Sequence, residues 1–302
     1  MADGRILIGT CSWSDKSLLD SGKFYPPEAA TPEGRLRYYA RHFPIVEVDS
    51  SYYAIPAQRT AALWTERTPD GFVFDVKAFR LFTGHPTGAD ALPRDLRGAL
   101  PQKQRLYYRD VPAEARDALW EQFTSALVPL ASAGKLGVVL LQFPPWFRPG
   151  RESEAHLEEC RARLADRRVA VEFRHAAWLA PERRQRTLAM LRDLRAAYVC
   201  VDEPQGFPSS VPPVAAVTSD VAVVRFHGRN ARTWEARGLA SSAERFDYVY
   251  SDAELDEWVP RLRALAEEAR EVHALMNTNY QDQGVVNARR LQLRLFGDGA
   301  AD

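Results

Sequence analysis

The sequence predicts an α/β fold, a TIM (β/α)8 barrel formed by the whole chain, residues 1–302, as a single domain. Eight short apolar runs of strand length succeed one another, and helical patterns separate most of them. Several runs, such as LGVVLLQF at 136–143, are apolar without alternation, which is typical of parallel strands covered on both faces. A doubly wound open sheet is the alternative. An eighth strand followed by a final helix favours the barrel.

The predicted strands are spread evenly over the chain. They are Arg5–Thr10, Val46–Tyr53, Phe72–Ala78, Leu136–Pro144, Arg168–Arg174, Ala196–Asp202, Val221–Gly228 and Glu271–Asn279.

The connections between the strands carry their own signals. Thr31, which precedes a proline, is a candidate helix N-cap, and Ser251 is another after the seventh strand. The long pattern at 112–132 predicts one helix. The sixth crossover, residues 203–219, holds four prolines and no helical period, so we expect an irregular connection. The segment Leu81–Val111 predicts a long loop excursion after the third strand, above the barrel mouth.

The composition narrows the possible functions. Lys plus Arg and Asp plus Glu both number 40, so no overall positive field would attract nucleic acid. Three widely spaced cysteines without a C-x-x-C pair argue against a disulfide framework and a cysteine zinc site. The first residues form no signal peptide and no run of eighteen apolar residues occurs, so we expect a cytoplasmic protein with no membrane partner.

Polar residues gather where the predicted strands end. All strands of a parallel barrel end on one face, and that face carries the active sites of barrel enzymes. Glu47 and Asp49 share one orientation by strand alternation, and both point inward if the valines beside them pack outward. A buried ionised carboxylate needs a partner. Lys77, Arg174 and Arg225 are the candidates.

An ordered set of motifs identifies a family resemblance. The motifs are GTCSW, VEVDSSYY, FDVKAFRLFTGH, LLQFPP, VEFRHAAW, RFHGRN, YVYSDAELDEW and MNTNYQDQGVVNA, in order from about Arg5 to Leu295. The set resembles the YecE-like family, also called domain-of-unknown-function family 72. The chain departs from the family pattern at Ser12, where a glycine is common, and at Asn277 and Asn279, which Thr278 separates. The resemblance implies a TIM barrel and brings no established reaction.

The strand-end residues suggest an anionic ligand, phosphorylated or similar to a nucleotide or nucleic acid. Guanidinium groups beside a flexible glycine in RFHGRN suit a phosphate or carboxylate. Glu172 and His175 are the candidates for acid–base chemistry, with Lys77 and Glu47 as further catalytic candidates; Lys77 could also form a Schiff base. Ligand contacts are predicted for Arg225, His227, Arg229, Asn230, Tyr52, Tyr53, Arg174, Trp178, Gln142, Asp202, Asn277 and Asn279. In another interpretation, Arg225 pairs with Glu47 or Glu172 inside the barrel.

Two other classes of function stay open. The balance of opposite charges is compatible with a binding or regulatory barrel without chemistry. A metal-dependent, endonuclease-like hydrolase would use Glu47, Glu172, Asp202 and His227 as ligands, a set suited to Mn, Mg or Zn. Arginine and lysine beside these carboxylates would already neutralise them, so we expect no metal. The sequence leaves cofactor, oligomeric state and substrate open, and the expected partner is a small phosphorylated ligand or a nucleic-acid fragment.

Overall fold

The computed structural model describes residues 4–101, 103–239 and 241–297. Eight parallel strands close into a barrel in chain order, each paired with its neighbours and the first with the last. The fold prediction is confirmed. In the described part of the chain, no helix is both long enough and apolar enough to span a membrane.

The strands and helices alternate as predicted. The strands are β1 Arg5–Thr10, β2 Ile45–Val48, β3 Val73–Lys77, β4 Leu136–Gln142, β5 Val169–Glu172, β6 Ala196–Asp202, β7 Val221–Phe226 and β8 Glu271–Met276. The α-helices are α1 Lys16–Ser21, α2 Pro32–Ala40, α3 Gln58–Glu66, α4 Ala113–Ala126, α5 Val128–Ser132, α6 Arg151–Arg163, α7 Arg184–Asp193, α8 Asp252–Glu268 and α9 Gln283–Phe296.

Two predicted helix caps are present. The Thr31 side chain accepts a hydrogen bond from the Gly34 amide, and Ser251 forms a capping box with Glu254. The single helix predicted at 112–132 is wrong, because it is divided into α4 and α5. Pro129 lacks the amide hydrogen that would bond to the carbonyl four residues earlier, so the continuous hydrogen-bond pattern ends there.

The two unusual connections also follow the prediction. Residues 203–220 contain no helix and connect β6 to β7 irregularly. The segment between β3 and α4 contains short turns of 3-10 helix and one isolated bridge, between Thr87 and Leu106. Leu92 and Leu100 from this segment are buried in the main core, which attaches the excursion to the barrel.

The barrel interior is polar at two levels. Near the amino-terminal ends of the strands, Asp75 on β3 pairs with His273 on β8. Nearer the carboxyl ends, Arg225 on β7 lies between Glu47 on β2 and Glu172 on β5. Charged groups this deep require partners, because leaving an isolated charge in an apolar interior costs several kcal/mol or more. Outside the barrel, apolar strand faces pack against the helices.

Candidate ligand site at the carboxyl ends of the strands

A cavity of about 860 Å³ opens at the carboxyl ends of the strands. This volume lies within the range of small-molecule sites, and the position is where barrel proteins place their active sites. It is lined by Asp15, Lys16, Ser17, Asp20, Ser21, Asp49, Tyr52, Tyr53, Lys77, Gln142, Arg174, His227, Ser241, Ala243, Glu244, Phe246, Asn277, Asn279, Tyr280 and Gln281. The predicted residues Tyr52, Tyr53, Lys77, Gln142, Arg174, His227, Asn277 and Asn279 are therefore brought together.

Beneath the cavity lies a buried ion cluster centred on Arg225. Its Nε and Nη2 donate to the two carboxylate oxygens of Glu47 at 2.9 and 2.7 Å, and Nη1 donates to Glu172 Oε2 at 2.5 Å. Nη1 also donates to Gln142 Oε1 at 3.2 Å. All three charged side chains are fully buried. Arg225 therefore pairs with the buried carboxylates of Glu47 and Glu172, as the alternative interpretation of its role in the sequence proposed.

The charge of Glu172 is held by three partners. Burial alone would raise the pKa of this carboxyl, but Arg225, His227 and Arg174 outweigh it and hold the pKa well below its usual range. Burial raises the pKa of Glu47, and the guanidinium of Arg225 opposes that shift. Glu47 and Glu172 both lie below the cavity and hold Arg225 in place. Glu172 also contacts Arg174 and His227, which line the cavity.

His227 is a neutral member of the site. Burial, with Arg174 and Arg225 nearby, lowers its pKa to about 3 although Glu172 opposes the shift. Its Nε2 lies 3.2 Å from Glu172 Oε1, and its Nδ1 lies 2.8 Å from the Asn277 side-chain amide nitrogen. A carboxylate only accepts and an amide nitrogen only donates, so Nε2 carries the proton and Nδ1 accepts. Asn277 in turn accepts from Asn279.

Two cations stand on the cavity wall. Lys77 Nζ donates to Asp49 Oδ1 at 2.9 Å and lies 4.4 Å from the centre of the Tyr52 ring. Arg174 donates from Nη1 to Glu172 at 3.1 Å, and its guanidinium carbon lies 4.6 Å from the Trp234 ring. Burial favours a lower pKa for Lys77, but Asp49 and Glu47 outweigh it and raise the pKa. Lys77 is therefore an ammonium ion at neutral pH, which argues against the Schiff-base hypothesis.

Glu203 is a site residue that the sequence analysis missed. Its Oε2 lies 3.2 Å from Arg174 Nη1, and its Oε1 accepts from the Val211 amide at 2.7 Å. Burial raises its pKa to about 8, against the charge of Arg174. The ligand contact was predicted for Asp202 instead, and adjacent residues at a strand end face opposite sides, so the alternative assignment would have found Glu203. The loop residues Asp15, Asp20, Glu244 and Phe246 lacked any comparable signal.

Asp202, Arg229 and Asn230 do not line the cavity. Arg229 donates to both oxygens of Asp202, and its Nη2 also donates to Glu257 at 2.8 Å. Asp202 additionally accepts from Trp258 on α8 at 2.6 Å. Asn230 donates to the Asp247 carbonyl. Asp202 and Arg229 connect the ends of β6 and β7 to α8, and Asn230 bonds to the connection before α8, so their predicted ligand contacts are corrected to contacts within the protein.

His175 and Trp178 also differ from the prediction. His175 lies three residues beyond β5, where its Nδ1 accepts from the Ala177 amide and caps a short 3-10 turn. The histidine that contacts Glu172 is His227. Trp178 is fully buried and stacks on Phe173, with its indole N–H donating to the Phe147 carbonyl. Neither side chain lines the cavity, so the roles predicted for them there lack support.

The four candidate metal ligands do not converge on one point. Glu47 and Glu172 are both bonded to Arg225, and Asp202 faces α8 rather than the barrel axis. In residues 4–101, 103–239 and 241–297, no group of three or more His, Cys, Asp or Glu side chains has a geometry suited to a metal ion. The four side chains that the sequence suggested as metal ligands therefore do not form a site for one metal ion.

Comparison with known proteins decides the family. The family model described as "Protein of unknown function DUF72" matches residues 7–300. The chain belongs to the DUF72 family. This membership confirms the resemblance carried by the eight motifs.

A relative of known sequence and two of known structure match almost the whole of this DUF72 chain. It is 32% identical over 289 residues to the UPF0759 protein YunF of Bacillus subtilis (strain 168), covering 95% of this chain and 93% of YunF. A DUF72 protein structure from Enterococcus faecalis V583 is 27% identical with a TM-score of 0.78, covering 96% of this chain and 95% of the other. One from Thermotoga maritima MSB8 is 31% identical with a TM-score of 0.75, covering 96% and 99%.

Proposed function

We propose that the barrel mouth binds a small anionic ligand of the phosphorylated class, a group that includes nucleotides and fragments of nucleic acid. The observation that carries the proposal is the position of two cations on one cavity wall, Lys77 at the end of β3 and Arg174 just beyond β5. Within the described residues, Lys77 Nζ donates only to Asp49, and Arg174 makes its hydrogen bond through Nη1 alone. Each cation therefore keeps N–H donors for a ligand.

The remaining cavity walls orient such a ligand. Asp15 and Asp20 belong to the connection after β1, and Glu244 belongs to the connection after β7. These acidic groups disfavour an anion on their sides of the cavity, because like charges repel. The anionic group consequently faces β3 and β5, while the rest of the ligand faces Tyr53 and the loops.

Proton transfer by Glu172 with His175 is not included in the proposal. His175 does not line the cavity and caps a short 3-10 turn, and the oxygens of Glu172 are held by Arg225, Arg174 and His227. Glu172 is fully buried below the cavity. Its role here is to orient Arg174 and His227.

The test is calorimetric titration of the purified protein with inorganic phosphate, glucose 6-phosphate, AMP and a short single-stranded oligonucleotide. We expect at least one of these to bind, and we expect Lys77→Met and Arg174→Met each to weaken binding about tenfold or more. A charge-assisted hydrogen bond contributes roughly 1.5–3 kcal/mol, and each 1.4 kcal/mol is about tenfold in affinity.

The matched controls remove the same charges from residues that do not line the cavity. Lys103 pairs with Asp110 in the excursion after β3, and Arg186 on α7 has a side chain that is 71% exposed. Lys103→Met and Arg186→Met should bind as the unmodified protein does. Absence of binding by every probe, or equal binding by all four variants, would overturn the proposal. Circular dichroism melting curves identify any variant that fails to fold.

A further inference from the structure

The side-chain amide of Gln142 has one orientation set by the ion cluster below it. Arg225 Nη1 donates to Gln142 Oε1 at 3.2 Å. A guanidinium has only donors, so the atom facing it must be the amide oxygen and not the nitrogen. Gln142 lines the cavity, and its Nε2 is therefore the polar atom free to contact a ligand. The sequence alone could not distinguish these two orientations of an amide.

Arg225 cannot easily release Gln142 by rotating. Its Nε and Nη2 are held by Glu47 at 2.9 and 2.7 Å, and its Nη1 is held by Glu172 at 2.5 Å. The guanidinium is planar and rigid, so contacts on three sides determine the direction of each N–H. The ion cluster therefore fixes the orientation of the uncharged Gln142 amide, so that its Nε2 donor and not its Oε1 acceptor is available to the cavity.

Gln142 lies between the two cations of the proposed site. Lys77 is on β3, Gln142 ends β4 and Arg174 follows β5, so the three side chains come from three adjacent strands. The strand register pairs Lys77 with Leu140 and Gln142 with Glu172. Strand alternation then places all three on the inner face. Their three side chains form a row of hydrogen-bond donors that lines the cavity.

We infer that Gln142 is a specificity-determining residue, positioned by Arg225, and that the row Lys77–Gln142–Arg174 selects a phosphoryl group. This inference rests on the proposed function and names the chemical group that the site holds. The terminal phosphoryl group of a phosphomonoester has three acceptor oxygens, one for each donor side chain in the row. A carboxylate can also accept three hydrogen bonds, as Glu172 does, but its two oxygens lie in one plane, whereas three phosphoryl oxygens can each face a donor from a different strand.

The first experiment replaces the hydrogen-bond donor of residue 142 with an apolar group or with an acceptor. Gln142→Met removes the donor at similar volume, and Gln142→Glu replaces it with an acceptor while keeping an oxygen for Arg225. Calorimetry with glucose 6-phosphate and glucuronate, which differ in the anionic group, gives the readout. We expect Gln142→Met to weaken glucose 6-phosphate binding about 3- to 10-fold, the effect of one neutral hydrogen bond, and Gln142→Glu to weaken it more than 100-fold. Glucuronate binding should change less than about twofold in Gln142→Met.

The second experiment tests the positioning role of Arg225. Arg225→Lys keeps the positive charge but lacks the fork that reaches Gln142 and both carboxylates together. We expect it to weaken glucose 6-phosphate binding clearly in the unmodified background and much less in the Gln142→Met background. A purely structural role would weaken binding equally in both, and that equality would overturn the inference. If Arg225→Lys does not fold, Gln142→Met decides by its effect on the two probes, because it keeps Arg225, Glu47 and Glu172 in place.

The two levels of proposal fail in different ways. If the unmodified protein binds no phosphorylated probe, the proposed function fails. If Lys77→Met and Arg174→Met weaken phosphate binding while Gln142→Glu binds normally, the function stands and the inference about Gln142 is wrong. Equal losses for glucose 6-phosphate and glucuronate in Gln142→Met would contradict the preference for a phosphoryl group.

Discussion

Arg225 and Glu47 form a bidentate ion pair in the centre of the barrel, with N–O distances of 2.9 and 2.7 Å and both side chains fully buried. The pair joins β7 to β2 across the barrel. Because Arg225 also bonds to Glu172, three strands distant in sequence share one guanidinium. The arrangement orders the floor of the cavity, and it makes the barrel dependent on a single side chain.

We expect Arg225→Met to destabilise the protein by about 3–5 kcal/mol, because it leaves two buried carboxylates without their shared partner. The free energy of unfolding from equilibrium urea denaturation measures the loss. Arg186→Met, which removes an exposed guanidinium, should change stability by less than about 0.5 kcal/mol. A loss below about 1 kcal/mol for Arg225→Met would show that the carboxylates accept protons or water without cost.

The buried pair of His273 and Asp75 should make stability fall at alkaline pH. Burial favours a lower pKa for His273, but Asp75 and Glu271 outweigh it and raise the pKa to about 9. The ordinary histidine pKa is about 6.5, so the stabilisation is complete below that pH and is lost as the pH rises through about 9. Urea denaturation at pH 6, 7.5 and 9 should show a decrease on the order of 1–3 kcal/mol. In His273→Gln this decrease should be absent; an unchanged pH profile would contradict the assignment.

Ser12 occupies a backbone conformation that favours glycine. Its φ of 113° lies where side chains with a Cβ are strained. Relief of strain of about 1–3 kcal/mol outweighs the greater chain entropy of glycine, about 0.5–1 kcal/mol, so Ser12→Gly should stabilise the protein by about 1 kcal/mol. Thermal denaturation measures the effect. Ser14→Gly, at an exposed position outside the positive-φ region, is the control and should not stabilise.

Lys77 should resist Schiff-base formation at neutral pH. Asp49 and Glu47 keep it protonated despite burial, and an ammonium ion has no lone pair to attack a carbonyl. Incubation with dihydroxyacetone phosphate and borohydride at pH 7, followed by peptide mass spectrometry, should reveal no adduct at Lys77 above the level at exposed Lys16. Asp49→Asn removes the nearest carboxylate and should increase labelling. Strong labelling of Lys77 in the unmodified protein would restore the Schiff-base hypothesis.

Much of the fold was predictable because its signals are local. Short apolar runs predicted all eight strands, with starts within one residue and ends within five residues of those observed; the largest error is the second strand, which ends at Val48 and not Tyr53. Thr31 and Ser251 predicted two helix starts. The predicted helix at 112–132 was wrong because the pattern of apolar residues continues through Pro129, while the backbone hydrogen bonds cannot. Local periodicity describes which face is apolar and does not record every interruption of the helix.

The candidate site was predictable only in part. Strand-end position brought Lys77, Gln142, Arg174 and His227 to one cavity, since strand ends meet on one face of a barrel. Arg229, His175 and Trp178 also follow strand ends but point elsewhere. They lie beyond the last residue of each strand, where strand alternation no longer applies: Gly228, with a φ of 80°, ends the extended backbone before Arg229, and His175 caps and Trp178 ends a short 3-10 turn.

The sequence by itself determined the barrel, its order of strands and the membership in a family, because periodicity and ordered motifs are properties of the chain. Only the tertiary structure decided which carboxylates each arginine pairs with. Arg225 pairs with Glu47 and Glu172 inside the barrel, and Arg229 pairs with Asp202 outside it. Charges along a chain carry no information about their partners, and a buried charge selects whichever opposite charge the closed barrel brings within hydrogen-bonding distance.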